Sequence, residues 1–427
     1  MLDILRVSTL VLGHVLGGRS LDGELASAWR RHARLSAHQR AAIQDACYGS
    51  LRHLGHLDAM LAALLQKPLS DERLRNLLRV SLYELAYTRA APHAIVDHAV
   101  RCCPLLGVPS AKGLTNAVLR NYQRRQEAIA EAADASATGR YSHPQWWIER
   151  LRAQYPTRYA AILEADNQHP PLTLRVNRRK TSRDAYLADL EAHGIAAHAT
   201  GQDAVVLATP CPVDRIPGFN EGCVSVQDAS AQLAAVYLDA PSGSRVLDAC
   251  SAPGGKAAHV LECADVELIA LDREESRLAR VRENFARLKL QAEVVCGDAA
   301  SPGDWWDGKP FDRVLADVPC SASGVVRRHP DIKWLRRSED IPAYAERQAA
   351  ILDALWQMLG NDGKLLYATC SVFQEENSFQ VQRFLERHPD ARRVVLPGAD
   401  NPLQEPAGQI LPDVDHDGFF YALLQKT

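Results

Sequence analysis

Residues 248–256 read Asp-Ala-Cys-Ser-Ala-Pro-Gly-Gly-Lys, and this stretch decides the fold. A strand-like apolar segment leads into it and a helical segment comes after it, so its glycines lie in a loop between a strand and a helix. From residue 228 onward strands and helices alternate, which is typical of a doubly wound α/β fold with a parallel sheet. The predicted strands are 245–249, 267–272, 292–296, 312–317, 364–369 and 418–424, and the longest predicted helices are 274–288 and 344–359.

The spacing of apolar residues and the local composition divide the rest of the chain into three segments. Residues 1–126 carry apolar positions at helical spacing between Gly and Pro breakers, which predicts an all-α N-terminal domain. Residues 127–140 are Ala-rich and are predicted to be a linker. Residues 141–227 mix helical and strand patterns, which predicts a small α+β insert before the C-terminal domain at 228–427.

Composition excludes several classes of protein. Hydrophobic residues make up 47% of the 427 residues and charged residues 24%, as in soluble globular proteins. No run of about 18 apolar residues is present, so we expect a cytoplasmic protein that has no membrane partner. The ten cysteines form no Cys-x-x-Cys pair and no Cys/His cluster of finger spacing, which argues against a disulfide framework and against a metal site.

The Gly-rich loop predicts a nucleoside cofactor. Its Pro-Gly-Gly allows backbone to approach a ligand closely, and Asp272, which closes the next strand, can accept hydrogen bonds from ribose hydroxyls. The Gly-x-Gly-x-x-Gly of dinucleotide sites is absent, and an alanine comes after Lys256 where a Walker loop needs Ser or Thr. S-adenosylmethionine is the best remaining candidate. Asp298 would then face the adenine amino group, although an Asp at a strand end is also typical of a helix cap.

Two cysteines lie just beyond other predicted strand ends, Cys320 in Asp-Val-Pro-Cys-Ser and Cys370 in Ala-Thr-Cys-Ser. Ligands bind beyond the C-terminal strand ends in such sheets, so both thiols are expected beside the cofactor loop. C5 of cytosine is too poor a nucleophile to take a methyl group until a thiolate adds at C6. The residues therefore predict carbon methylation of a pyrimidine, and they leave open which thiol adds and which assists release.

Positive charge is concentrated near the N-terminus. Residues 1–140 carry 18 Lys and Arg against 12 Asp and Glu, whereas the rest of the chain carries 31 against 40. This asymmetry indicates a nucleic acid partner, although a merely solvated basic surface would give the same count. One candidate surface is the helical stripe of Lys112, Asn116, Arg120 and Arg124. The second is a basic run that could instead be a charged strand edge, consisting of Arg175, Arg178, Arg179, Lys180 and Arg183.

Longer motifs carry a resemblance to a known family. They are residues 248–256, Asp-Val-Pro-Cys-Ser-Ala-Ser-Gly at 317–324, Arg-Arg-His-Pro-Asp-Ile-Lys-Trp at 327–334 and Ala-Thr-Cys-Ser-Val at 368–372. In this order they resemble the RsmB/Nop2/Sun family of RNA cytosine-C5 methyltransferases. Residues 112–120, Lys-Gly-Leu-Thr-Asn-Ala-Val-Leu-Arg, resemble the NusB-like RNA-binding domain of its bacterial RsmB branch, which acts on 16S ribosomal RNA.

The resemblance implies a Rossmann-like class I methyltransferase domain and roles for its residues. Cys370 is implied as the nucleophile and Cys320 as the thiol that assists release, whereas an analogy with DNA cytosine methyltransferases would favour attack by Cys320. Asp317 is expected near N3 of the base, where it would take up developing charge. Ser251 stands where many relatives have Ala, which is a small change. The implied cofactor set is Cys250, Ser251, Ala252, Pro253, Gly254, Gly255, Lys256, Asp272, Asp298 and Asp317.

The implied partner is 16S ribosomal RNA in an unassembled or partly assembled small subunit, and the protein is expected to be a monomer. The target cytosine must leave its stack, so a single-stranded loop is the expected substrate. A transfer RNA is the main alternative, because the catalytic motifs do not identify the RNA. An RNA-binding or antitermination factor with a vestigial catalytic half is disfavoured, because both cysteines are present and predicted strands end at or near Asp272, Asp298 and Asp317. Amino methylation would need Asn/Asp-Pro-Pro-Tyr/Phe where this chain has Asp-Val-Pro-Cys.

Overall fold

The structure is a computed structural model that describes residues 1–396 and 408–427. The chain forms two compact units. One unit comprises Met1–His169 and Val326–Ser338, and the other comprises Pro170–Val325 and Glu339–Thr427.

The first unit is helical, as the sequence predicts for its N-terminal part. Its helices begin at residues suited to that place: Ser36 forms a capping box with Gln39, and the Asp71 side chain accepts hydrogen bonds from two backbone N–H groups. The apolar faces of the helices up to residue 134 form one core that includes Leu12, Leu77 and Leu119. The helices are Leu2–Leu16, Leu21–Arg31, Ala37–Arg52, Leu54–Leu64, Glu72–Tyr87, Pro92–Leu105, Lys112–Arg124, Gln126–Asp134, Ala137–Tyr141, Gln145–Gln154, Tyr159–Ala165 and Ile332–Leu335.

The predicted linker and the predicted start of the insert fall inside this unit. Residues 127–140 contribute to two helices, and Ile129 and Ala133 are buried in the helical core. Residues 326–338 belong to the same unit although they are distant in sequence. There the buried Lys333 ammonium donates hydrogen bonds to the backbone carbonyls of Arg52 and Ser142 at 2.8 and 2.9 Å. The domain boundaries at 126, 140 and 227 stay predictions.

The second unit begins with a small antiparallel sheet. Its strands are β1 (Leu172–Val176), β2 (Ala197–Thr200), β3 (Ala204–Leu207) and β4 (Val224–Val226), in the order β2-β3-β1-β4. The helix Arg183–Ala192 covers one face, where Tyr186 and Leu190 pack on Leu174 and Val205. Residues 170–227 therefore have the α+β character that the sequence predicts.

A larger sheet forms the rest of this unit. Its strands are β5 (Arg245–Asp248), β6 (Glu267–Asp272), β7 (Glu293–Cys296), β8 (Phe311–Asp317), β9 (Leu359–Thr369), β10 (Ala391–Val394), β11 (Gln409–Ile410) and β12 (Phe419–Lys426). The strand order is β10-β12-β9-β8-β5-β6-β7, and β11 pairs with β12. The surrounding helices are Ala229–Leu238, Gly255–Cys263, Glu275–Leu288, Asp340–Met358 and Ser378–Arg387.

Strands β5 to β9 are parallel, as predicted, whereas β12 runs antiparallel to β9. Helices cover both faces of the sheet, so neighbouring residues of one strand enter opposite cores: Leu365 lies in one and Leu366 in the other. The strand order reverses at β5, because β6 lies on one side of it and β8 on the other. Ligands of such folds bind at this switch point, beyond the C-terminal ends of the strands.

Candidate active site

The Gly-rich loop comes directly after β5 at the switch point. Gly254 adopts a left-handed conformation with φ of 91°, which glycine accepts without strain, and a helix begins at Gly255. A Cβ atom at Gly254 would lie 3.1 Å from Val281, so a side chain there would press against the neighbouring helix. The Ser251 N–H donates to the Leu271 carbonyl oxygen at 2.8 Å, which ties the loop to β6.

Asp272, at the end of β6, is buried beside this loop. Its carboxylate accepts hydrogen bonds from the backbone N–H groups of Ala252 at 3.2 Å and Glu274 at 3.1 Å. Each oxygen thus receives one backbone donor and keeps lone pairs for further donors. Asp298 lies just beyond β7 and accepts a hydrogen bond from the Ala300 N–H at 3.0 Å, which is the local turn that a lone Asp often forms. This combination of backbone approach and strand-end carboxylates fits a nucleoside.

Asp248, which ends β5, is fully buried below the loop. Burial raises the pKa of its carboxyl to about 7, and the nearby charge of Asp317 contributes to this rise. The group therefore holds a proton well above the pH at which an exposed aspartate loses it.

Lys256 and Asp317 form an ion pair across the switch point. The Lys256 Nζ lies 2.7 Å from the Asp317 Oδ2, and it also lies 5.2 Å from the centre of the Phe419 ring. Burial lowers the pKa of Lys256, but nearby acidic groups, the Asp317 carboxylate foremost, together outweigh burial, so the pKa stands above its ordinary value. The negative form of Cys370 also raises this pKa, so ammonium and thiol belong to one site.

The two motif cysteines meet beyond β8 and β9. Their Sγ atoms are 3.4 Å apart, and both side chains are half-buried. The Gly324 N–H donates to the Cys370 carbonyl oxygen at 2.9 Å, which joins the two loops. The hydrogen bond to Cys370 and then burial raise the pKa of Cys320 well above its ordinary value, so Cys320 keeps its proton at neutral pH. Burial also raises the pKa of Cys250, so that thiol is a poor nucleophile.

Comparison with known proteins identifies the family. A profile described as 16S rRNA methyltransferase RsmB/F matches residues 235–425, an RsmF/B-like ferredoxin-like domain matches 143–214 and the NusB family matches 15–124. The Ribosomal RNA small subunit methyltransferase B of Vibrio cholerae is 49% identical over 415 residues, which cover 96% of this chain and 94% of that protein. The chain belongs to the RsmB/F methyltransferase family.

One further relative and two solved structures are similar to this chain. The protein of the same name from Pseudomonas putida is 47% identical and covers 97% of this chain and 96% of its own length. The solved structure of PH0851 superposes with a TM-score of 0.80 at 24% identity and covers 100% of this chain and 99% of its own. A methyltransferase homolog protein from Pyrococcus horikoshii gives a TM-score of 0.60 at 26% identity and covers 68% and 97%.

Membership in the RsmB/F family confirms several predictions made from the sequence. The Rossmann-like methyltransferase fold, the NusB-like helical domain and the resemblance to the RsmB branch are all confirmed. The cofactor is S-adenosylmethionine, as predicted.

In residues 1–396 and 408–427, no helix is long and apolar enough to cross a membrane. The same residues contain no group of three His, Cys, Asp or Glu side chains placed to hold a metal ion.

The predicted RNA contacts of this RsmB/F protein lie in both units. In the helical unit, Lys112, Arg120 and Arg124 lie on the outer side of the helix Lys112–Arg124, and the Arg120 Nε donates to Asn116 Oδ1 at 3.0 Å. The opposite face of this helix buries Val118 and Leu119. The stripe predicted from the sequence therefore exists as a surface feature, and its contact with RNA stays a prediction.

Arg175 requires a correction, because its side chain is fully buried rather than available to RNA. Its guanidinium forms two hydrogen bonds to the Glu262 carboxylate, at 2.9 and 2.8 Å, and one to the Gly255 carbonyl oxygen at 2.6 Å. It thus anchors the first turn of the helix that begins after the cofactor loop. Arg178 and Arg179 are part-exposed but already paired, with Asp203 and Asp265 respectively.

Glu376 is a site residue that no sequence pattern indicated, and the structure places it below both thiols. Its carboxylate is fully buried and contacts the residues directly after Cys320 and Cys370. An acid just before a helix is ordinarily interpreted as a solvated group near the helix N-terminus. Its burial depends on contacts with residues distant in sequence, which no local pattern reveals.

Proposed function

We propose that this enzyme transfers a methyl group from S-adenosylmethionine to C5 of a cytosine in 16S ribosomal RNA, through a covalent bond between Cys370 and C6. The observation that carries the proposal is the pair of thiols 3.4 Å apart beside the Lys256–Asp317 ion pair. The relatives named Ribosomal RNA small subunit methyltransferase B support the choice of RNA.

Cys370 is proposed as the nucleophile. Cys320 keeps its proton, because its hydrogen bond to Cys370 and its burial both oppose ionisation. The thiol that adds must give up its proton, and the family resemblance assigns this role to Cys370. Its sulfur bonds to C6, and the ring electrons move toward C5 and N3, where a proton must neutralise the developing charge.

Asp317 and Lys256 are proposed to hold the base during this step. Their 2.7 Å contact gives a hydrogen-bonded pair that can carry a proton beside N3, and the positive charge of Lys256 stabilises electron density on the ring. S-adenosylmethionine, when bound, supplies the electrophilic methyl group that C5 takes up. Asp272, Asp298 and the loop 250–256 are proposed to hold its nucleoside and amino acid parts.

Cys320 is proposed to assist release. After methyl transfer, C5 gives its proton to a general base, and the electrons of the C5–H bond form the C5–C6 double bond and expel the Cys370 sulfur from C6 as a thiolate. The Cys320 thiol lies within hydrogen-bond distance of that sulfur, so it can donate a proton to the leaving thiolate. One thiol therefore forms the adduct and the other completes its breakdown.

The proposed RNA surface is chosen by exposure and charge. It consists of Lys112, Arg120 and Arg124 in the helical unit, with Arg178, Arg179 and Lys180 as weaker candidates because acids or carbonyls already pair with them. The enzyme is proposed to act as a cytoplasmic monomer on an unassembled or partly assembled small subunit, on a cytosine that a single-stranded loop can release from its stack.

A denaturing gel tests the roles of the two thiols. Cys370→Ala should abolish both methylation and any covalent complex with RNA, since addition makes C5 nucleophilic. Cys320→Ala should accumulate a protein–RNA adduct that survives denaturation, since addition is intact and release is impaired. Cys263→Ala, which changes an exposed thiol at a helix end, is the matched control. An adduct from Cys370→Ala and none from Cys320→Ala would reverse the assignment.

Bisulfite sequencing of RNA from a deletion strain tests the substrate. Loss of one protected cytosine in 16S ribosomal RNA is the expected result. Loss of protection only in transfer RNA would replace the proposed substrate, and unchanged protection in both would refute cytosine-C5 methylation.

A further inference from the structure

A single buried carboxylate connects the two cysteine loops. Glu376 lies between β9 and the helix Ser378–Arg387, and its side chain has no exposure to solvent. An ionised carboxylate in such a place is costly unless hydrogen bonds replace the water that it has lost. The identity of those hydrogen-bond donors therefore indicates what the group is for.

Four donors converge on this carboxylate. Oε1 accepts from the Ser321 N–H at 2.8 Å and from the Gln348 side-chain amide at 3.1 Å. Oε2 accepts from the hydroxyls of Ser321 and Ser371, each at 2.6 Å. Burial raises the pKa of this carboxyl, and the hydrogen bonds from the two serines counteract burial. Every one of these partners can donate, which is the arrangement that suits an ionised, acceptor-only carboxylate.

Three of the four donors belong to the two motifs that carry the thiols. Ser321 comes directly after Cys320 and Ser371 directly after Cys370, so each loop is held at the residue next to its sulfur. Ser323, also in the first loop, hydrogen-bonds the Ser371 hydroxyl at 2.9 Å and accepts from the Val372 N–H at 2.9 Å. Strands β8 and β9 end side by side. This network links the two loops that extend from them, in addition to the backbone hydrogen bond from Gly324 to Cys370.

We propose that Glu376 is a positioning residue that fixes the distance between the two thiols by holding both Cys-Ser turns on one carboxylate. The inference rests on the proposed function, in which one thiol adds and the other assists release. Both steps need sulfur atoms placed to a fraction of an ångström relative to C6, and a shift of about 1 Å can lower a rate by about 100-fold. Glu376 contacts neither base nor cofactor in this role.

A purely structural role is the competing explanation. Removing any buried carboxylate leaves several donors unsatisfied and lowers stability. A structural role predicts a loss of stability with normal turnover by the folded fraction. A positioning role predicts in addition that folded enzyme has misplaced thiols, so the distance between the sulfurs must be measured directly.

The experiment uses the full-length enzyme with Glu376→Ala, Glu376→Gln and, as a matched control, Gln380→Ala. Gln380 is buried in the adjoining helix and donates to the Ala345 carbonyl oxygen, away from both cysteine turns. Glutamine at 376 keeps the shape: its oxygen can accept from the Ser321 N–H, and its amide can donate to the serine hydroxyls, which also act as acceptors.

Thiol trapping with diamide gives the first readout and needs no RNA. The two thiols lose two protons and two electrons to diamide, which is reduced to the hydrazine, and a Cys320–Cys370 disulfide forms. Glu376→Ala should trap this disulfide several-fold more slowly than the wild type, whereas Glu376→Gln and Gln380→Ala should trap it at nearly the wild-type rate. Peptide mapping identifies the cysteines that are joined.

Steady-state kinetics give the second readout. Glu376→Ala should lower kcat by about 100-fold with KM values for RNA and S-adenosylmethionine within about 2-fold, because the interaction acts on the reacting groups and not on ground-state binding. Glu376→Gln should restore most of kcat. Wild-type trapping and kcat in folded Glu376→Ala, or an equal loss in Gln380→Ala, would overturn the proposal.

A second variant and a readout that needs no RNA keep the outcome decisive. If Glu376→Ala does not fold, Ser371→Ala removes one of the two hydroxyl contacts and should show the same slower trapping. If Cys320→Ala accumulates no adduct with RNA, the proposed function fails, but diamide trapping in the wild type and in Glu376→Ala still tests whether Glu376 fixes the sulfurs. The two failures are therefore distinguishable.

Discussion

Replacement of Arg175 by Met tests whether this side chain supports the methyltransferase fold or contacts RNA. Arg175 and Glu262 are both fully buried and form two hydrogen bonds of 2.9 and 2.8 Å. Loss of the guanidinium would leave the Glu262 carboxylate uncompensated in the interior, which destabilises a protein by about 3 to 5 kcal/mol. The helix that begins at Gly255 also loses a contact, so affinity for S-adenosylmethionine should fall as well.

Urea denaturation monitored by circular dichroism measures the change in unfolding free energy. Arg175→Met with Glu262→Met should recover most of the loss, because replacing a whole buried pair with apolar residues is often nearly neutral. Arg179→Met is the control: its ion pair with Asp265 is part-exposed, so its loss should change stability by less than about 1 kcal/mol.

Binding to RNA over a range of salt concentrations gives the refuting result. A lost contact with single-stranded RNA phosphate lowers the slope of log affinity against log salt by about 0.7. A buried Arg175 makes no such contact, so folded Arg175→Met should keep the wild-type slope. A reduced slope with unchanged stability would show that Arg175 is an RNA contact and would refute the argument from burial.

Three other perturbations test the remaining parts of the molecule. Reversal of Lys112, Arg120 and Arg124 to Glu should weaken RNA binding and lower its salt slope by about 2, and leave cofactor affinity unchanged; an unaltered slope would move the RNA surface elsewhere. Asp272→Ala should lower S-adenosylmethionine affinity by about 1 to 3 kcal/mol in calorimetry, and an unchanged affinity in folded protein would contradict this placement of the nucleoside. Asp248 binds its proton more tightly in the folded state, so the wild type loses stability as pH rises from about 4 to about 7; the stability of Asp248→Asn relative to the wild type should therefore grow over that window, by at most about 4 kcal/mol. A pH-independent difference between the two proteins in urea denaturation would contradict a protonated, buried carboxyl.

Periodicity predicts six strands of the main sheet, but it predicts neither β10 nor β11 and does not give the direction of β12. Strands β5 to β9 alternate with helices, and this order implies parallel pairing through right-handed crossovers. The strand that becomes β12 has the same apolar character as its neighbours, and that character is compatible with either direction. Its antiparallel pairing with β9 depends on where the chain re-enters the sheet, which residues 419–426 do not encode locally.

The sequence motifs predict the location of the two thiols because each motif comes directly after a predicted strand. Parallel topology then brings together the loops that extend from β5, β8 and β9, so Lys256, Cys320 and Cys370 could be expected at one edge. The predicted exposure of Arg175 is wrong for the opposite reason. It belongs to a basic run that looks exposed, and its partner Glu262 lies 87 residues away in the sequence.

Each Cys-Ser pair is a local motif, whereas the carboxylate that contacts both serines belongs to a residue outside the two pairs. In each turn the cysteine carries a sulfur with a proposed role in the reaction. The serine next to it turns into the interior, where both hydroxyls lie 2.6 Å from the Glu376 carboxylate. Each Cys-Ser motif therefore encodes both the sulfur proposed to react and the serine hydroxyl that holds the turn in place. It does not encode the acid that holds both serines, because that acid lies outside both pairs. In this proposal the separation of the sulfurs depends on a residue that neither Cys-Ser pair contains. Substitution of Glu376 changes that separation and keeps both thiols, so it tests how the thiols cooperate more directly than substitution of either cysteine.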